Sequence, residues 1–341
     1  MEGKETIGFI GGKFLPLHLG HVYAATEAAK KVDKLYVILT SSKNRDKQLC
    51  KRDGMMYIPP DIRMSWIGEC LRHLRNVDIL HIEDDQYDED YDWEQGAEEI
   101  KKAIGKPIDA IFSSEHEYHD RFMRLYPNAK HVVVDAKREN IPISATQVRK
   151  DLYSNWDKLP ECVKKHFTKR VAIVGTESCG KSTLVEQLAE AFNTNYVHEV
   201  GREYCEKHGN QLTPDMFNHI AMEHFLLQEK KARKSNKVLF VDSDAVITQY
   251  YLDMYFNERS PVIDEIAKLQ KYDLVLYLEP DVPWVEDGLR FAGDEEVRIK
   301  NNEKLKKMYQ QAGIPFVCIS GDYKQRFRKA RELVDRLFED V

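Results

Sequence analysis

The sequence predicts an α/β protein made of two doubly wound parallel-sheet domains, and three observations lead there. Short β-branched apolar runs alternate with helical stretches along the whole chain, the pattern of strands laid parallel and connected by helices. The same opening occurs twice, a strand, a glycine-bearing loop and a helix, at "IGFIGGKF" and again at "RVAIVGTESCGKST". The length of 341 residues accommodates two separate cores at roughly 100 to 200 residues each.

Taken in order, the first half offers strands at "TIGFIG", "KLYVILTS", "VDILHI", "DAIFSSE" and "HVVVDAK". The second offers "RVAIVG", "NYVHEV", "KVLFVDSD", "DLVLYLEP" and "PFVCIS". Between them "NWDKLPECVKKHFTKR" reads as a polar connector, which places domains at 1–167 and 168–341. No internal repeat is visible at the level of residues. The helix after the first loop shows Val22, Ala25 and Ala29 on one face; the helix after the second shows Leu184, Leu188 and Ala191.

Composition excludes several classes. A net charge of −6 and a pI near 6.1 give no basic excess for a nucleic-acid surface, so a small ligand is expected as partner. The six cysteines are scattered without a CxxC pair, as in a reducing compartment. No apolar run reaches the ~18 to 20 residues of a membrane span, and "MEGKET" lacks a signal-peptide layout. The expectation is a cytoplasmic protein without membrane or nucleic-acid partners; a homo-oligomer is left open.

In the second half "GTESCGKS" fits GxxxxGKS between a strand and a helix, the setting that motif needs. Gly175, Glu177, Ser178, Cys179 and Gly180 would wrap nucleotide phosphates with backbone N–H groups, and Lys181 would reach the β and γ oxygens. Ser182 would hold Mg²⁺, and Thr183 follows at the positive end of the helix. Asp242, at the carboxyl end of "VLFVD", suits a Mg²⁺-orienting carboxylate, with a helix N-cap as its other reading. Glu199, Arg202 and Glu203 in "HEVGREY", with Asp244 beyond the third strand, sit where open parallel sheets bind ligands; a carboxylate there could take the proton of a substrate hydroxyl. Glu199 and Asp242 both qualify as that base. "PWVEDGLRFAGDEEVR", 283–298, with Arg290 and Arg298, suits either a lid over the triphosphate or a solvated loop.

In the first half "GGKFLPLHLGHVYAATEA" places His18 and His21 where a strand gives way to a helix. Imidazole N–H donors at a helix N-terminus suit phosphate oxygens and the extra charge of a pentacoordinate α-phosphate. Lys13 precedes them, with Gly12 and Phe14 in the same loop. Further on, "ISATQVR" offers Ser144 and Thr146 as helix caps and Arg149 one turn later, a second phosphate clamp. The acidic run "EDDQYDEDYDWEQGAEEI", 83–100, carries ten carboxylates and Trp93; it reads either as a solvated loop or as a place where Trp93 stacks on a cationic ring.

HxGH and ISxTxxR together resemble the adenylyltransferases of the nucleotidylyl-transferase superfamily. Joined to "GTESCGKST…VDSD…PWVEDGLR", the chain resembles the bifunctional NadR family over nearly its whole length. That resemblance implies a Rossmann-like nicotinamide mononucleotide (NMN) adenylyltransferase followed by a P-loop ribosylnicotinamide kinase, using ATP and Mg²⁺ to carry nicotinamide riboside through NMN to NAD. It also implies that Trp93 lies near the nicotinamide. Longer members carry an N-terminal helix-turn-helix repressor domain; this chain reaches its first strand by residue 6, so the regulatory role is expected to be absent. The alternatives are a kinase and adenylyltransferase pair of flavin or coenzyme A synthesis, or a nucleotide sensor without turnover.

Overall fold

The structure, a computed structural model, describes residues 5–83, 92–209, 211–282 and 295–339. Residues 84–91 of the acidic run and 283–294, including Arg290, lie outside the described residues. The chain divides into two compact units, Met1–Val163 and Lys164–Val341.

Unit 1 runs β1 (Ile7–Gly12), α1 (Leu19–Ala29), β2 (Lys34–Ser41), α2 (Lys43–Arg52), α3 (Pro60–Leu71), β3 (Val77–Glu83), α4 (Trp93–Ile104), β4 (Ala110–Ser113), α5 (His119–Leu125), β5 (Lys130–Val133), α6 (Ala145–Lys150) and into α7 (Glu161–Phe167). Its sheet is parallel throughout, in the order β3-β2-β1-β4-β5. The order reverses at β1, so the loop leaving β1 opens into the crevice where such sheets take ligands. Gly8 is needed in the strand itself: a Cβ there would stand 2.7 Å from the Phe112 ring on β4.

Unit 2 runs β6 (Lys169–Val174), α8 (Lys181–Ala191), β7 (Tyr196–Val197), α9 (Val200–His208), α10 (Pro214–Ala232), β8 (Val238–Asp242), α11 (Ala245–Phe256), α12 (Pro261–Leu269), β9 (Leu274–Leu278), α13 (Glu295–Gln311), β10 (Val317–Ile319) and α14 (Tyr323–Asp335). The order is β10-β9-β6-β8-β7, again parallel. Val171 and Ile173 of β6 face one core with Leu184, Val185 and Leu188, while Ala172 and Val174 face another with Tyr250, Val275 and Tyr309. Alternation by two along a strand buried on both faces is what a covered parallel sheet requires.

All ten expected strands are present, although "NYVHEV" pairs only over Tyr196–Val197. Three expectations need correction. The polar connector is instead largely helical and buried through Trp156, Leu159, Cys162, Val163 and Phe167, and the units part between Val163 and Lys164 rather than near 168. Ala191 is exposed; α8 buries Leu184, Val185, Leu188 and Ala189, a broader stripe. On α1 the buried set is Ala24, Ala25, Ala28 and Ala29, with Val22 only half-buried.

Ile173 is fully buried at the centre of unit 2. Ile173→Ala should therefore lower the unfolding free energy of that unit by about 2–5 kcal/mol. Urea unfolding followed by hydrogen exchange at the strand amides checks this, and an unchanged midpoint would contradict the assignment.

Candidate active sites

In unit 1 the two histidines cap their own helix reciprocally. The His21 backbone N–H donates to His18 Nδ1 (3.3 Å), and the His18 backbone N–H lies 3.4 Å from His21 Nδ1. Both Nδ1 atoms are acceptors, so each neutral ring carries its proton on Nε2. The rings stack 3.6 Å apart at 18°, and Phe14 meets His21 edge-on at 5.0 Å. Burial, reinforced by the nearby Arg138 charge, pushes His18 down to about 3 and His21 well below its ordinary value. The pair is thus neutral at pH 7, two parallel N–H donors at the N-terminus of α1, an arrangement suited to phosphate oxygens.

Lys13 and Arg149, expected to clamp phosphates directly, are both engaged by protein. Lys13 Nζ donates to Asp46 (2.7 Å), and the fully buried Arg63 donates to the same carboxylate (2.7 Å) and to the Lys13 carbonyl (2.7 Å). Arg149, 9 % exposed, donates to Asp53 (2.7 Å), to the Leu15 carbonyl (2.8 Å) and to Thr146 Oγ1 (2.9 Å). Arg52 and then Arg149 hold the Asp53 carboxyl down at about 2, against its burial. Through these bonds Arg149 braces the back of the loop; Lys13 keeps a partly exposed side chain. Ser144 caps α6, accepting from the Gln147 N–H (3.2 Å). Gly12 ends β1 beside them.

Trp93 begins α4, half-buried, with the Arg121 guanidinium 4.3 Å from its ring centroid and Tyr118 and Phe122 around it. The attraction for positive charge foreseen for this ring is met here by the chain's own arginine.

In unit 2 the loop from Gly175 to Gly180 joins β6 to α8. Gly175 has φ +147, and a Cβ there would stand 2.7 Å from the Leu278 carbonyl; Gly180 has φ +85. Both positions therefore demand glycine. Lys181 is buried, its Nζ donating to the Thr176 carbonyl (3.0 Å). Burial opposes its charge, but Cys179 and the carboxylates of Glu199, Asp242 and Glu177 prevail and raise its pKa. Ser182 Oγ donates to Asp242 Oδ2 (2.5 Å).

A cavity of about 250 Å³ opens on this loop. Glu177, Ser178, Cys179, Gly180, Lys181, Ser182, Thr183, Glu199, Arg202 and Asp244 of the expected residues all line it. Four of the expected residues also have partners within the protein. Asp244 caps α11, accepting from the Ile247 N–H (3.0 Å) and the Tyr309 hydroxyl (2.8 Å). Glu203 is not among the lining residues and pairs with His198 (2.7 Å), while Arg202 pairs with Glu206 (3.2 Å). Arg298 borders a neighbouring cavity and donates to the carbonyls of Pro280 and Val282.

Comparison with known proteins bears on these two sites. The cytidylyltransferase-like family pattern matches residues 9–151, and an AAA domain pattern matches residues 170–326. A curated Escherichia coli (strain K12) protein, the trifunctional NAD biosynthesis/regulator protein NadR, is 34 % identical over 342 residues, 97 % of this chain and 83 % of its own length. Its Salmonella typhimurium counterpart is 32 % identical, over 98 % of this chain and 84 % of its own. The chain belongs to the NadR family. A crystal structure of NadR protein in complex with NR shares the fold at a TM-score of 0.78 and 23 % identity, covering 98 % of this chain and 96 % of that one. A second, in complex with NAD and AMP-PNP, gives a TM-score of 0.75 over the same shares.

This NadR family chain places around both sites residues that motif reading did not select: Asp46, Arg63 and Asp53 behind the histidine loop, and Phe217, His224, Tyr251 and Arg326 around the phosphate loop. None carries a local signal, because each meets its partner only after folding. Among the described residues no helix is long and apolar enough to cross a membrane.

Burial, then the charge of Glu199, pushes Asp242 up to about 6 from 3.8. The folded state therefore holds a proton that the unfolded chain has lost between those values, and unit 2 loses stability as pH rises through that window. Asp242→Asn should remove the loss, making the variant the more stable protein by on the order of 3 kcal/mol near pH 7 in metal-free buffer. Thermal unfolding from pH 4 to 8 checks this; a constant difference between variant and wild type would contradict it.

Proposed function

We propose that the chain carries out two successive transfers at phosphorus: unit 2 moves the γ-phosphoryl group of ATP to the 5′-hydroxyl of nicotinamide riboside, and unit 1 joins the resulting mononucleotide to AMP from a second ATP. The first step yields NMN, ADP and a proton; the second yields NAD and pyrophosphate. Family membership supports the pairing of activities, and the observation that carries it is that each unit holds a complete phosphate-binding constellation of a different kind.

In unit 2 the loop N–H groups and Lys181 hold the phosphates in line, so that catalysis is chiefly positioning and charge stabilisation. Ser182 and Asp242, their oxygens 2.5 Å apart, fit a magnesium ion that takes its other ligands from phosphate and water. When bound, that ion would neutralise charge on the β and γ oxygens. Because Asp242 is committed to Ser182, Glu199, which lines the cavity, is the base for the riboside hydroxyl. In unit 1 the nucleophile is already a phosphate and needs no base. His18 and His21 donate from Nε2 to the ATP phosphates, with Lys13 beside them, and stabilise charge as the α-phosphorus becomes pentacoordinate.

Incubation of the wild-type chain with Mg²⁺, ATP and nicotinamide riboside, resolved by chromatography over time, should show NMN rising before NAD. His21→Ala should stop the time course at NMN, with adenylylation reduced at least about 100-fold. Lys181→Ala should abolish riboside phosphorylation yet leave NMN adenylylation at the wild-type rate. Nucleotide binding without turnover of any pyridine substrate would instead favour a sensor, and turnover of flavin or pantetheine substrates a different pairing.

A further inference from the structure

The cysteines lie scattered along the chain, yet folding brings two of them together from 92 positions apart. Cys70 sits in the last turn of α3 and Cys162 near the start of α7, and their Sγ atoms stand 3.5 Å apart within unit 1. Cys162 Sγ also donates to the Trp66 carbonyl (3.9 Å), one turn before Cys70 on α3. With the Cys162 proton directed there, its sulfur is left to accept from the Cys70 thiol. The two differ in access: Cys162 is buried, whereas Cys70 is half-buried.

A disulfide holds its sulfurs about 2.05 Å apart, so the pair stands about 1.5 Å from bonding distance. Rotation of the two side chains and a slight shift of α7, a helix of seven residues, close a gap of that size. At rest the pair is quiet. The bond to Cys162, then burial, raises the Cys70 thiol above its ordinary value, which keeps it protonated and slow to react. Once the Cys70 sulfur carries a leaving group, however, Cys162 is already beside it, and the second step gains from that proximity.

A bridge here has structural consequences. α3 carries Arg63 two turns before Cys70, and Arg63 holds Asp46 and the Lys13 carbonyl behind the histidine loop. Joining Cys70 to Cys162 fastens that helix to the end of the unit and closes a loop that contains β3, α4, β4, α5, β5 and α6. A closed loop of that length restricts the unfolded chain and so favours the folded one.

We propose that Cys70 and Cys162 form a redox site: a small-molecule disulfide of the glutathione class converts them to an intramolecular disulfide that locks unit 1 in its folded state. Cys70, the more accessible, gives up its proton and attacks one sulfur of the reagent, releasing one thiol; Cys162 then loses its proton, attacks the Cys70 sulfur and releases the second. Two protein thiols are oxidised as one reagent disulfide is reduced to two thiols. The site needs neither transfer reaction, so it stands or falls apart from the function proposed above.

The test incubates reduced full-length wild type, Cys70→Ser and Cys162→Ser with oxidised glutathione under native conditions, alkylates the remaining thiols and maps the digest by mass spectrometry. Heat-induced cleavage of unit 1 peptides by a protease is followed in parallel. Wild type should yield a peptide pair joined through Cys70 and Cys162, reversed by dithiothreitol, and the midpoint for unit 1 should rise by about 5 °C or more. Cys162→Ser should stop at a mixed disulfide of Cys70 with glutathione, and Cys70→Ser should form no bridge; neither midpoint should rise. The exposed Cys318 shows that the reagent is active by taking up glutathione in all three proteins. Recovery of Cys70 and Cys162 as free thiols once Cys318 is fully modified would overturn the proposal, as would a bridge that leaves the unit 1 midpoint unmoved. The wild-type map and midpoint decide even where a serine variant fails to fold.

Discussion

Both sites depend on buried guanidinium groups that hold a phosphate-binding loop from behind. Arg326, 2 % exposed, donates to the Cys179 carbonyl (2.5 Å), to the Gly321 carbonyl (2.7 Å) and to the Glu279 carbonyl (2.8 Å), and pairs with Asp281. In unit 1 Arg63 and Arg149 do the same for the carbonyls of Lys13 and Leu15. A loop that turns its N–H groups toward a ligand must turn carbonyls inward, and each buried carbonyl needs a donor. Arginine supplies several donors from one planar group that keeps its charge. Asp46, Asp53 and the partly exposed Asp281 balance that charge, and removing the partner from a buried pair such as Arg63–Asp46 or Arg149–Asp53 typically costs about 3–5 kcal/mol. The loops are therefore shaped before any nucleotide arrives, which is the form of preorganisation that lets donors act without rearranging.

On these similar supports the units use opposite electrostatics. The histidines of unit 1 are neutral donors, their basicity suppressed by burial and by Arg138. Lys181 of unit 2 is held charged by Glu177, Glu199 and Asp242 despite its burial. Neutral donors suit a step whose nucleophile is itself an anionic phosphate, where the charge must be spread over the transition state. A fixed cation and a carboxylate pair suit transfer to a hydroxyl, which must lose its proton as the bond forms.

The strands were legible because a strand buried on both faces leaves an unbroken β-branched run in the sequence, as in "VAIV" and "VLFV". The histidine loop and Gly175–Ser182 were legible because their function is local: glycines, donors and helix start lie within one turn of chain. Arg326 was not, since the carbonyl it holds is 147 positions away and nothing in "DYKQRFRK" announces it. Arg149 drew notice as a guanidinium one turn after a cap, but its bond to Asp53, 96 positions away, left no mark in the motif. The connector was misread for a related reason: its lysines are spaced so that Trp156, Cys162, Val163 and Phe167 can all turn inward, a pattern that short helices seldom declare.

The central claim is that one chain holds two separate and complete transfer sites, and complementation tests it most directly. Equal amounts of His21→Ala and Lys181→Ala would be supplied together with Mg²⁺, ATP and nicotinamide riboside, and NAD followed over time. The account predicts no NAD from either variant alone and NAD from the mixture after a lag, as NMN released by one molecule is adenylylated by the other. A mixture that forms NMN but never NAD, while Lys181→Ala still binds ATP in unit 1, would contradict it.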